Sequence, residues 1–255
     1  MTEINIQTVD VTEDQILGGR VRLLQPSQGY RTAIDGILLA AAVDATPKSK
    51  ILDLGAGVGT VGLCLVARQK NVGSIISVEQ NSHLCSLARE NALINSVAEQ
   101  VYVLEADIRD QIIMPSDRLF DQVMMNPPYF KQNQIGRRSS NLLRQQALYE
   151  NDLILDDWLK IAWNCVKSNG IITLIHLTHR LPDIFHFFDQ KTCSIKVYPL
   201  WTNPHTQAKR LIIQIIKGRK SPFEICRGLV LHQENGHYSV AAENILRHAQ
   251  PISWK

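Results

Sequence analysis

The segment Asn126-Pro127-Pro128-Tyr129 places an amide side chain and an aromatic ring at the end of an apolar run, Gln122 to Met125. Two consecutive prolines stop a strand and fix the backbone in an extended turn, so both side chains point in set directions. In an open α/β sheet, ligands bind at the ends of the strands. The segment therefore predicts a rigid binding turn at a sheet edge. The alternative is that the two prolines only terminate the strand.

A glycine-rich loop lies earlier in the chain. Residues 50–54 are typical of a short buried strand, and Gly55, Gly57 and Gly59 follow it before a predicted helix. Closely spaced glycines let bare N–H groups face a ligand at a helix N-terminus. A second predicted strand ends in Glu79, 22 residues after Gly57, where an acid accepts hydrogen bonds from ribose hydroxyls. This combination predicts a nucleoside site.

Two further acids narrow the choice of nucleoside. Asp53 lies two residues before the first glycine, where a carboxylate would repel a pyrophosphate but suit a cationic amino group. This favours an amino-acid nucleoside over NAD or FAD; tethering of the loop backbone is a second, compatible role for Asp53. Asp107 follows a third predicted strand, 101–104, and is placed to accept a hydrogen bond from the amino group of adenine while Ile108 packs on the ring.

The elements that must position these residues follow from the hydrophobic pattern. A small β-hairpin precedes the main domain, and Thr32 or Asp35 is a candidate cap for the helix after it. The polar stretch 130–151 is predicted to be a flexible loop, and Asn169-Gly170 is predicted to end a helix. The other predicted elements are helices from Ile37 to Val43, from Asn81, from Leu155 to Val166 and over 181–190, strands over 171–176, 195–200 and 210–216, and a terminal hairpin of 229–232 with 238–240.

The composition is that of an ordinary soluble protein of 255 residues, with 45% hydrophobic and 20% charged residues. The start of the chain resembles neither a signal peptide nor a transit peptide, and no apolar run approaches the roughly 20 residues that span a bilayer. Five scattered cysteines are typical of buried thiols in a reducing compartment. These features predict a cytoplasmic, single-domain protein with no membrane association and no metal site.

Positive charge is concentrated in two stretches. Residues 131–144 carry four basic residues and no acid, and residues 191–227 carry eight basic residues and one acid, Glu224. Both stretches follow the proline turn. This distribution predicts a polyanionic partner, with a solvated protein face as the alternative.

The combined motifs resemble those of the class I S-adenosylmethionine (SAM)-dependent methyltransferases. The matching residues are Asp53-Leu54-Gly55-Ala56-Gly57-Val58-Gly59, Glu79, Asp107 and Asn126-Pro127-Pro128-Tyr129, and the resemblance covers about residues 20–216. It implies an α/β fold with a Rossmann-like seven-stranded sheet whose last strand is antiparallel. We expect one domain, 1–255, with an N-terminal hairpin and helix (1–45), a SAM-dependent core (46–216) and a basic C-terminal extension (217–255).

Within that class, the chain resembles the bacterial tRNA1(Val) (adenine-37-N6)-methyltransferase family. The matching stretches are 14–19, 30–40, 126–130, Pro199-Leu200-Trp201 and Ala208-Lys209-Arg210. The resemblance implies that Thr32 and Asp35 lie near the methionine end of the cofactor. Ala33-Ile34-Asp35-Gly36 departs from the Gly-Thr-Asp-Gly form of some members, which leaves the role of Thr32 open.

The resemblance implies SAM as cofactor, RNA (with tRNA preferred) as partner, and a role for each site residue. In enzymes with this motif the target is a planar nitrogen, and Asn126 and the Pro127 carbonyl would accept its two N–H bonds. The expected catalytic residues are Asn126, Pro127 and Tyr129, and Tyr129 would stack on the planar group. The expected cofactor-binding residues are Thr32, Asp35, Asp53, Gly55, Gly57, Gly59, Glu79, Asp107, Ile108 and Asn126, and the expected substrate-binding residues are Pro128, Phe130, Lys131, Arg137, Arg138, Lys209 and Arg210.

Three other functions remain compatible with these motifs. A release-factor glutamine methyltransferase shares the proline motif, but it carries a sizeable N-terminal helical domain, and only about 50 residues precede the first sheet strand here. Methylation of adenine in DNA or ribosomal RNA uses the same site chemistry. A non-catalytic RNA-binding protein with a relic cofactor pocket is disfavoured by the intact motif residues.

Overall fold

The computed structural model describes residues 10–28, 31–110, 119–129 and 153–254. A two-stranded antiparallel hairpin precedes one large mixed sheet. The strands are β1 (Val11–Ile16), β2 (Val21–Pro26), β3 (Lys50–Leu54), β4 (Ser74–Glu79), β5 (Val101–Glu105), β6 (Phe120–Met125), β7 (Val166–Leu177), β8 (Cys193–Trp201), β9 (Arg210–Lys217), β10 (Glu224–Ile225) and β11 (Leu229–Val230).

The described helices connect these strands or follow them. They are α1 (Ile34–Ala42), α2 (Thr60–Arg68), α3 (Ser82–Ile94), α4 (Leu155–Cys165), α5 (Leu181–Phe188) and α6 (Val240–Leu246), with a short 3-10 turn over Thr178–Arg180. In the described part of the chain, none of the helices is both long and apolar enough to cross a bilayer.

The main strands of the large sheet lie in the order β5-β4-β3-β6-β7-β9-β8. Strands β3 to β7 pair in parallel with one another, and β9 is antiparallel to both β7 and β8. This confirms the predicted Rossmann-like α/β sheet with seven main strands and an antiparallel last strand. Two short strands, β10 and β11, pair with the outer edge of β8.

Alternate residues of the central strands enter two separate apolar cores. Ile51 and Met124 pack on the side of α1, α2, α3 and α6, whereas Leu52 and Met125 pack on the side of α4 and α5. A sheet covered by helices on both faces has buried, continuously apolar strands, and only its ends reach solvent. The carboxyl ends of β3 to β7 therefore form the edge where polar side chains are available for chemistry.

Three local predictions are wrong. Helix α4 ends at Cys165 rather than at Asn169-Gly170, because the chain enters β7 at once. Asn169 has a φ of 62° and lies in the part of β7 where the register with β6 shifts, beside Phe120. The predicted C-terminal hairpin is reduced to one bridge between His232 and Tyr238. Residues 229–230 instead extend the large sheet, and α6 begins at Val240.

The third wrong prediction concerns the start of α1. Ala33 occupies the N-cap position, and no side chain caps the helix, so neither Thr32 nor Asp35 has the structural role proposed as the alternative. Both side chains bond elsewhere, as described below. The division of the chain into residues 1–45, 46–216 and 217–255 stays a prediction.

Candidate active site at the carboxyl edge of the sheet

The glycine loop leaves β3 at the centre of the carboxyl edge. Gly55, Gly57 and Gly59 all have positive φ values, 68°, 58° and 85°, which L side chains rarely adopt. Space is an independent restriction at Gly55, because an added Cβ would lie 2.6 Å from Cη2 of Trp158. The indole of Trp158, predicted only as part of a helical stripe, thus forms a wall of the loop.

Glu79 holds the loop in place from the end of β4. One carboxylate oxygen accepts a hydrogen bond from the N–H of Gly57 at 2.9 Å, and the other accepts from the N–H of Asn81 at 2.9 Å. Burial raises the pKa of Glu79, and these backbone donors act in the opposite direction. A carboxylate has about four lone-pair positions, so Glu79 retains capacity for the hydroxyls of a ribose.

Asp53 lies beneath the loop and is almost completely buried, with 1% of its surface exposed. Burial raises its pKa to about 7, and the negative charge of Glu79 adds to the rise, while the N–H of Gly62 lowers it. The Oδ2 atom has no hydrogen-bond partner among the described residues. Asp53 therefore accepts a hydrogen bond from the N–H of Gly62, which agrees with a tethering role, and its Oδ2 atom is left for a cationic donor.

Asp107 and Ile108 follow β5 on the far side of the loop. The Asp107 carboxylate accepts hydrogen bonds from the backbone N–H and from Nε of Arg109, each at 2.9 Å, and Arg109 holds the Asp107 pKa below its usual value. Ile108 is 5% exposed and belongs to the apolar core on the α4 side. Asp107 is thus an ionised acceptor beside the loop, already paired with a neighbouring guanidinium.

The proline turn leaves the sheet directly beside the glycine loop. Strands β3 and β6 are parallel neighbours, and Leu54 is paired with Met125, so Gly55 and Asn126 begin at the same level, one strand spacing of about 4.8 Å apart. Asn126 is exposed, Pro127 is buried, and Pro128 and Tyr129 are half-buried. The amide of Asn126 therefore faces solvent next to the loop.

The hydroxyl of Tyr129 is anchored by a buried ion pair that the sequence did not predict. It donates a hydrogen bond of 2.7 Å to Oδ2 of Asp35, and the other oxygen of Asp35 accepts from the guanidinium of Arg210. The ring of His176 lies 5.4 Å from that of Tyr129 at an angle of 60°. Four distant parts of the chain, α1, β7, β9 and the proline turn, meet here.

His176, predicted only as the end of a strand, is fully buried under the proline turn. Its Nδ1 accepts a hydrogen bond of 2.8 Å from the N–H of Leu177, and Nε2 makes no hydrogen bond of normal geometry among the described residues. Its pKa is lowered to about 3, mainly by burial and also by the charge of Arg180, while the backbone of Pro128 acts in the opposite direction. The imidazole is therefore neutral at physiological pH.

Thr32 connects the start of α1 to the glycine loop. Its hydroxyl is 2.7 Å from the hydroxyl of Thr60, the first residue of α2. Its N–H donates to the side-chain oxygen of Gln25 in the N-terminal hairpin at 2.9 Å. Thr32 thus lies beside the predicted cofactor site.

Comparisons with known proteins agree with this geometry. Residues 34–150 match the family model of the methyltransferase small domain. The tRNA1(Val) (adenine(37)-N6)-methyltransferases of Escherichia coli and Escherichia fergusonii are 33% and 32% identical over 145 residues, which is 57% of this chain and 58% of each relative. The match thus spans somewhat more than half of the relatives' length, and the predicted resemblance to these proteins is confirmed.

Solved structures share the architecture at low sequence identity. A predicted O-methyltransferase from Agrobacterium tumefaciens superimposes with a TM-score of 0.69 and 21% identity, covering 86% of this chain and 98% of that one. The tRNA m1G37 methyltransferase of M. jannaschii has a TM-score of 0.59 and 16% identity, covering 84% and 59%. The chain has the class I methyltransferase fold.

In this class I fold, the basic residues of the C-terminal half do not share one face. Lys209 is exposed at the edge of the sheet that carries the proline turn. Its backbone carbonyl accepts a hydrogen bond of 3.0 Å from the N–H of Thr178. Arg210 pairs inside with Asp35. Others serve the fold: the ammonium of Lys191 donates to the carbonyl of Phe187, that of Lys196 pairs with Glu224, and that of Lys217 donates to the carbonyls of Trp163 and Val166.

Other basic residues lie either at the opposite edge of the sheet or outside the described residues. Arg219 and Lys220 follow the end of β9 that lies opposite Arg210, and are therefore at the other edge of the sheet. Phe130, Lys131, Arg137 and Arg138 lie outside the described residues. Of the predicted substrate-binding residues, Pro128, Lys209 and Arg210 are thus placed at the carboxyl edge.

Proposed function

We propose that the protein is a SAM-dependent methyltransferase that modifies the exocyclic N6 amino group of adenine in RNA, with tRNA as its substrate. The observation that carries the proposal is the pairing of β3 with β6, which sets Asn126 one strand spacing from the glycine loop. A donor and a planar acceptor bound at these two strand ends would lie side by side. The activity for which the E. coli relative is named supports the same reaction, and we propose a cytoplasmic location to go with a tRNA substrate.

The residues around the glycine loop fit SAM. Asp53 has a buried oxygen without a partner, which suits the cationic amino group, and Glu79 faces the loop where a ribose would lie. Thr32, Asp107 and Ile108 complete the boundary of the predicted site. When bound there, SAM supplies an electrophilic methyl group on a positively charged sulfur. Three carboxylates on this side favour a cation over a polyphosphate.

The proline turn fits the methyl acceptor. The lone pair of an adenine amino group is delocalised into the ring, so the nitrogen is a poor nucleophile. The Asn126 side-chain oxygen and the Pro127 carbonyl can accept its two N–H bonds and draw it toward tetrahedral geometry. Positioning and electrostatic stabilisation then carry the reaction, with Tyr129 stacked on the base.

RNA is the class of substrate that the surroundings of the turn favour. Lys209 is exposed at the same edge, and the segment after Tyr129 contributes Lys131, Arg137 and Arg138 with no acidic residue before Arg144. Basic side chains of this kind hold phosphates while an unpaired base is splayed into a pocket.

The test is to incubate the protein with methyl-labelled SAM and, in separate reactions, bulk tRNA, ribosomal RNA, DNA or a release factor. We expect label in tRNA, recovered after digestion as N6-methyladenosine. The Asn126→Ala variant serves as the control for contaminating activity. Label confined to protein would identify a glutamine methyltransferase, and label confined to DNA or ribosomal RNA would assign another nucleic acid; each of these results would overturn the proposal.

A further inference from the structure

The buried ion pair beneath Tyr129 has a geometry that restrains one particular ring. Each oxygen of Asp35 has its own partner, the Tyr129 hydroxyl on one side and the Arg210 guanidinium on the other. The side chain of Asp35 is 7% exposed and that of Arg210 is 26% exposed. Asp35 is thus buried and Arg210 is partly buried, and their charged groups face each other.

The ring of Tyr129 is held at two points. The hydrogen bond to Asp35 fixes its hydroxyl end, and the edge-to-face contact with His176 restrains the ring itself. A tyrosine side chain has only two main torsions, so two fixed points leave one orientation. His176 is fully buried and therefore forms a rigid support.

The segment that carries Asp35 also contacts the glycine-loop helix. The Thr32 hydroxyl meets that of Thr60 at 2.7 Å, and a Cβ added to Gly36 would lie 3.2 Å from Cγ2 of Thr60. Residues 32–36 thus touch the start of α2 on one side and the Tyr129 hydroxyl on the other. The orientation of the ring is set by the same segment that borders the predicted donor site.

We propose, resting on the methyltransferase function proposed above, that Asp35 and Arg210 are positioning residues that hold the ring of Tyr129 in the orientation required by the target base. Asp35 acts through the Tyr129 hydroxyl, and Arg210 acts through Asp35 by holding its carboxylate in place. This assigns neither residue to direct contact with cofactor or RNA. It differs from the roles that the sequence predicted for them.

The test measures single-turnover methyl transfer to tRNA at saturating SAM and tRNA, together with the Kd of each. Tyr129→Phe keeps the ring and removes the anchored hydroxyl, Asp35→Asn keeps an oxygen acceptor without charge, and Arg210→Gln removes the charge of its partner. We expect each to lower the transfer rate by about 10- to 100-fold, with the Kd for SAM changed less than about threefold. The control is Arg22→Gln, which breaks the exposed pair of Arg22 with Glu13 and should leave the rate unchanged.

The combination of Asp35→Asn with Tyr129→Phe separates positioning from general damage to the fold. If Asp35 acts through the hydroxyl, the double variant should transfer no more slowly than the slower single variant, because residues in one network are not additive. Multiplied losses would overturn the proposal. A tenfold weaker Kd for SAM in Asp35→Asn at an unchanged rate would also overturn it. So would a salt dependence of tRNA binding reduced by about one ion in Arg210→Gln, because that reduction marks a phosphate contact.

The same experiment distinguishes failure of this proposal from failure of the proposed function. A wild-type protein that transfers no methyl group to any RNA refutes the function. A wild-type protein that methylates tRNA, combined with additive losses in the double variant, refutes only the positioning roles. Tyr129→Phe removes a single oxygen, so it keeps the test decisive if the charge-removing variants fail to fold.

Discussion

The two halves of the carboxyl edge are assembled differently. On the cofactor side, Asp53, Gly55, Glu79 and Asp107 each lie within two residues of the end of a strand. On the acceptor side, Tyr129 is held by Asp35, His176 and Arg210, which lie 94, 47 and 81 positions away in sequence. A site built from strand ends is fixed once the sheet forms, whereas a site built from distant segments depends on how whole elements pack.

The halves also differ in charge. The cofactor side presents three carboxylates, Asp53, Glu79 and Asp107, and burial raises the pKa of the first two. On the acceptor side the buried carboxylate of Asp35 is paired with Arg210, and burial keeps His176 neutral. The first environment attracts a cation, and the second accommodates an uncharged planar group. The following predictions test this contrast.

The largest effect is expected from Asn126→Ala. We expect the bonds of its amide to matter most at the reacting centre, so the rate of methyl transfer should fall by about 10²–10³-fold, while the Kd for SAM changes less than about threefold. Single-turnover assays and equilibrium binding measure the two quantities. The control is Asn244→Ala on the exposed face of α6. Loss of SAM binding with residual turnover would contradict the separation of the two halves.

The next effect is expected at Gly55. Gly55→Ala places a methyl group in a positive-φ position and against Trp158, whereas Gly236, with a φ of 81°, has open space around its added Cβ. Both alanine variants carry the backbone cost of about 1–2 kcal/mol. Gly55→Ala should lose about 1–3 kcal/mol more in the free energy of unfolding because of overpacking, and it should bind SAM more weakly. Equal losses in denaturant unfolding would show that Trp158 moves aside without cost.

A smaller effect is expected from pH on SAM binding. The pKa of Asp53 is about 7, so its ionised fraction rises about tenfold between pH 5.5 and 7, while an amino group with a pKa near 7.7 stays protonated. The affinity for SAM should rise by about the same factor, with release of a proton detectable by calorimetry in buffers of different ionisation enthalpy. Asp53→Asn should remove this dependence. A proton release equal to that of the wild type in this variant would locate the titrating group elsewhere.

The same pKa shift fixes the sign of a stability change. Folding raises the pKa of Asp53, so the stability that its protonated form contributes is present at low pH and is lost as pH rises through about 7. His176 has the opposite sign: folding lowers its pKa to about 3, so stability is present above the unfolded value of about 6.5 and is lost as pH falls. The acceptor side should therefore show no titration of His176 between pH 5.5 and 8.

The smallest effect is expected from Lys209→Glu. Removing one exposed cation beside the turn should weaken tRNA binding and reduce the slope of log Kd against log salt by about one. Lys220→Glu at the opposite edge of the sheet is the matched control and should leave the slope unchanged. Similar changes in both variants would show that the RNA surface extends around the sheet.

The cofactor side was predictable because local patterns encode it. A buried strand followed by spaced glycines, and acids at the ends of the next two strands, specify positions without knowledge of tertiary packing. The seven-stranded sheet with its antiparallel last strand followed from the resemblance. The proline turn was predictable for the same reason, since Pro127 and Pro128 stop β6 wherever it lies.

The support of the acceptor side was not predictable from local patterns. The sequence predicted a helix cap or a cofactor contact for Asp35, a phosphate contact for Arg210, and only the last position of a strand for His176. Which of these is right depends on α1 and β9 packing around the proline turn. The prediction for the C-terminal residues failed for a related reason. Residues 229–230 pair with β8 rather than with residues 238–240, and a two-residue strand carries too short a pattern to specify its partner.

Residues 252–254 are hydrogen-bonded to the last turn of α1. The N–H of Ile252 donates to the carbonyl of Ala41 at 2.8 Å, and the indole of Trp254 donates to that of Ala42 at 3.2 Å. These bonds close the last turn of the helix whose first turn carries Asp35. We therefore expect residues 252–254 and α1 to be protected together in hydrogen exchange, and Tyr129, which Asp35 anchors from 94 residues away in sequence, to share that protection.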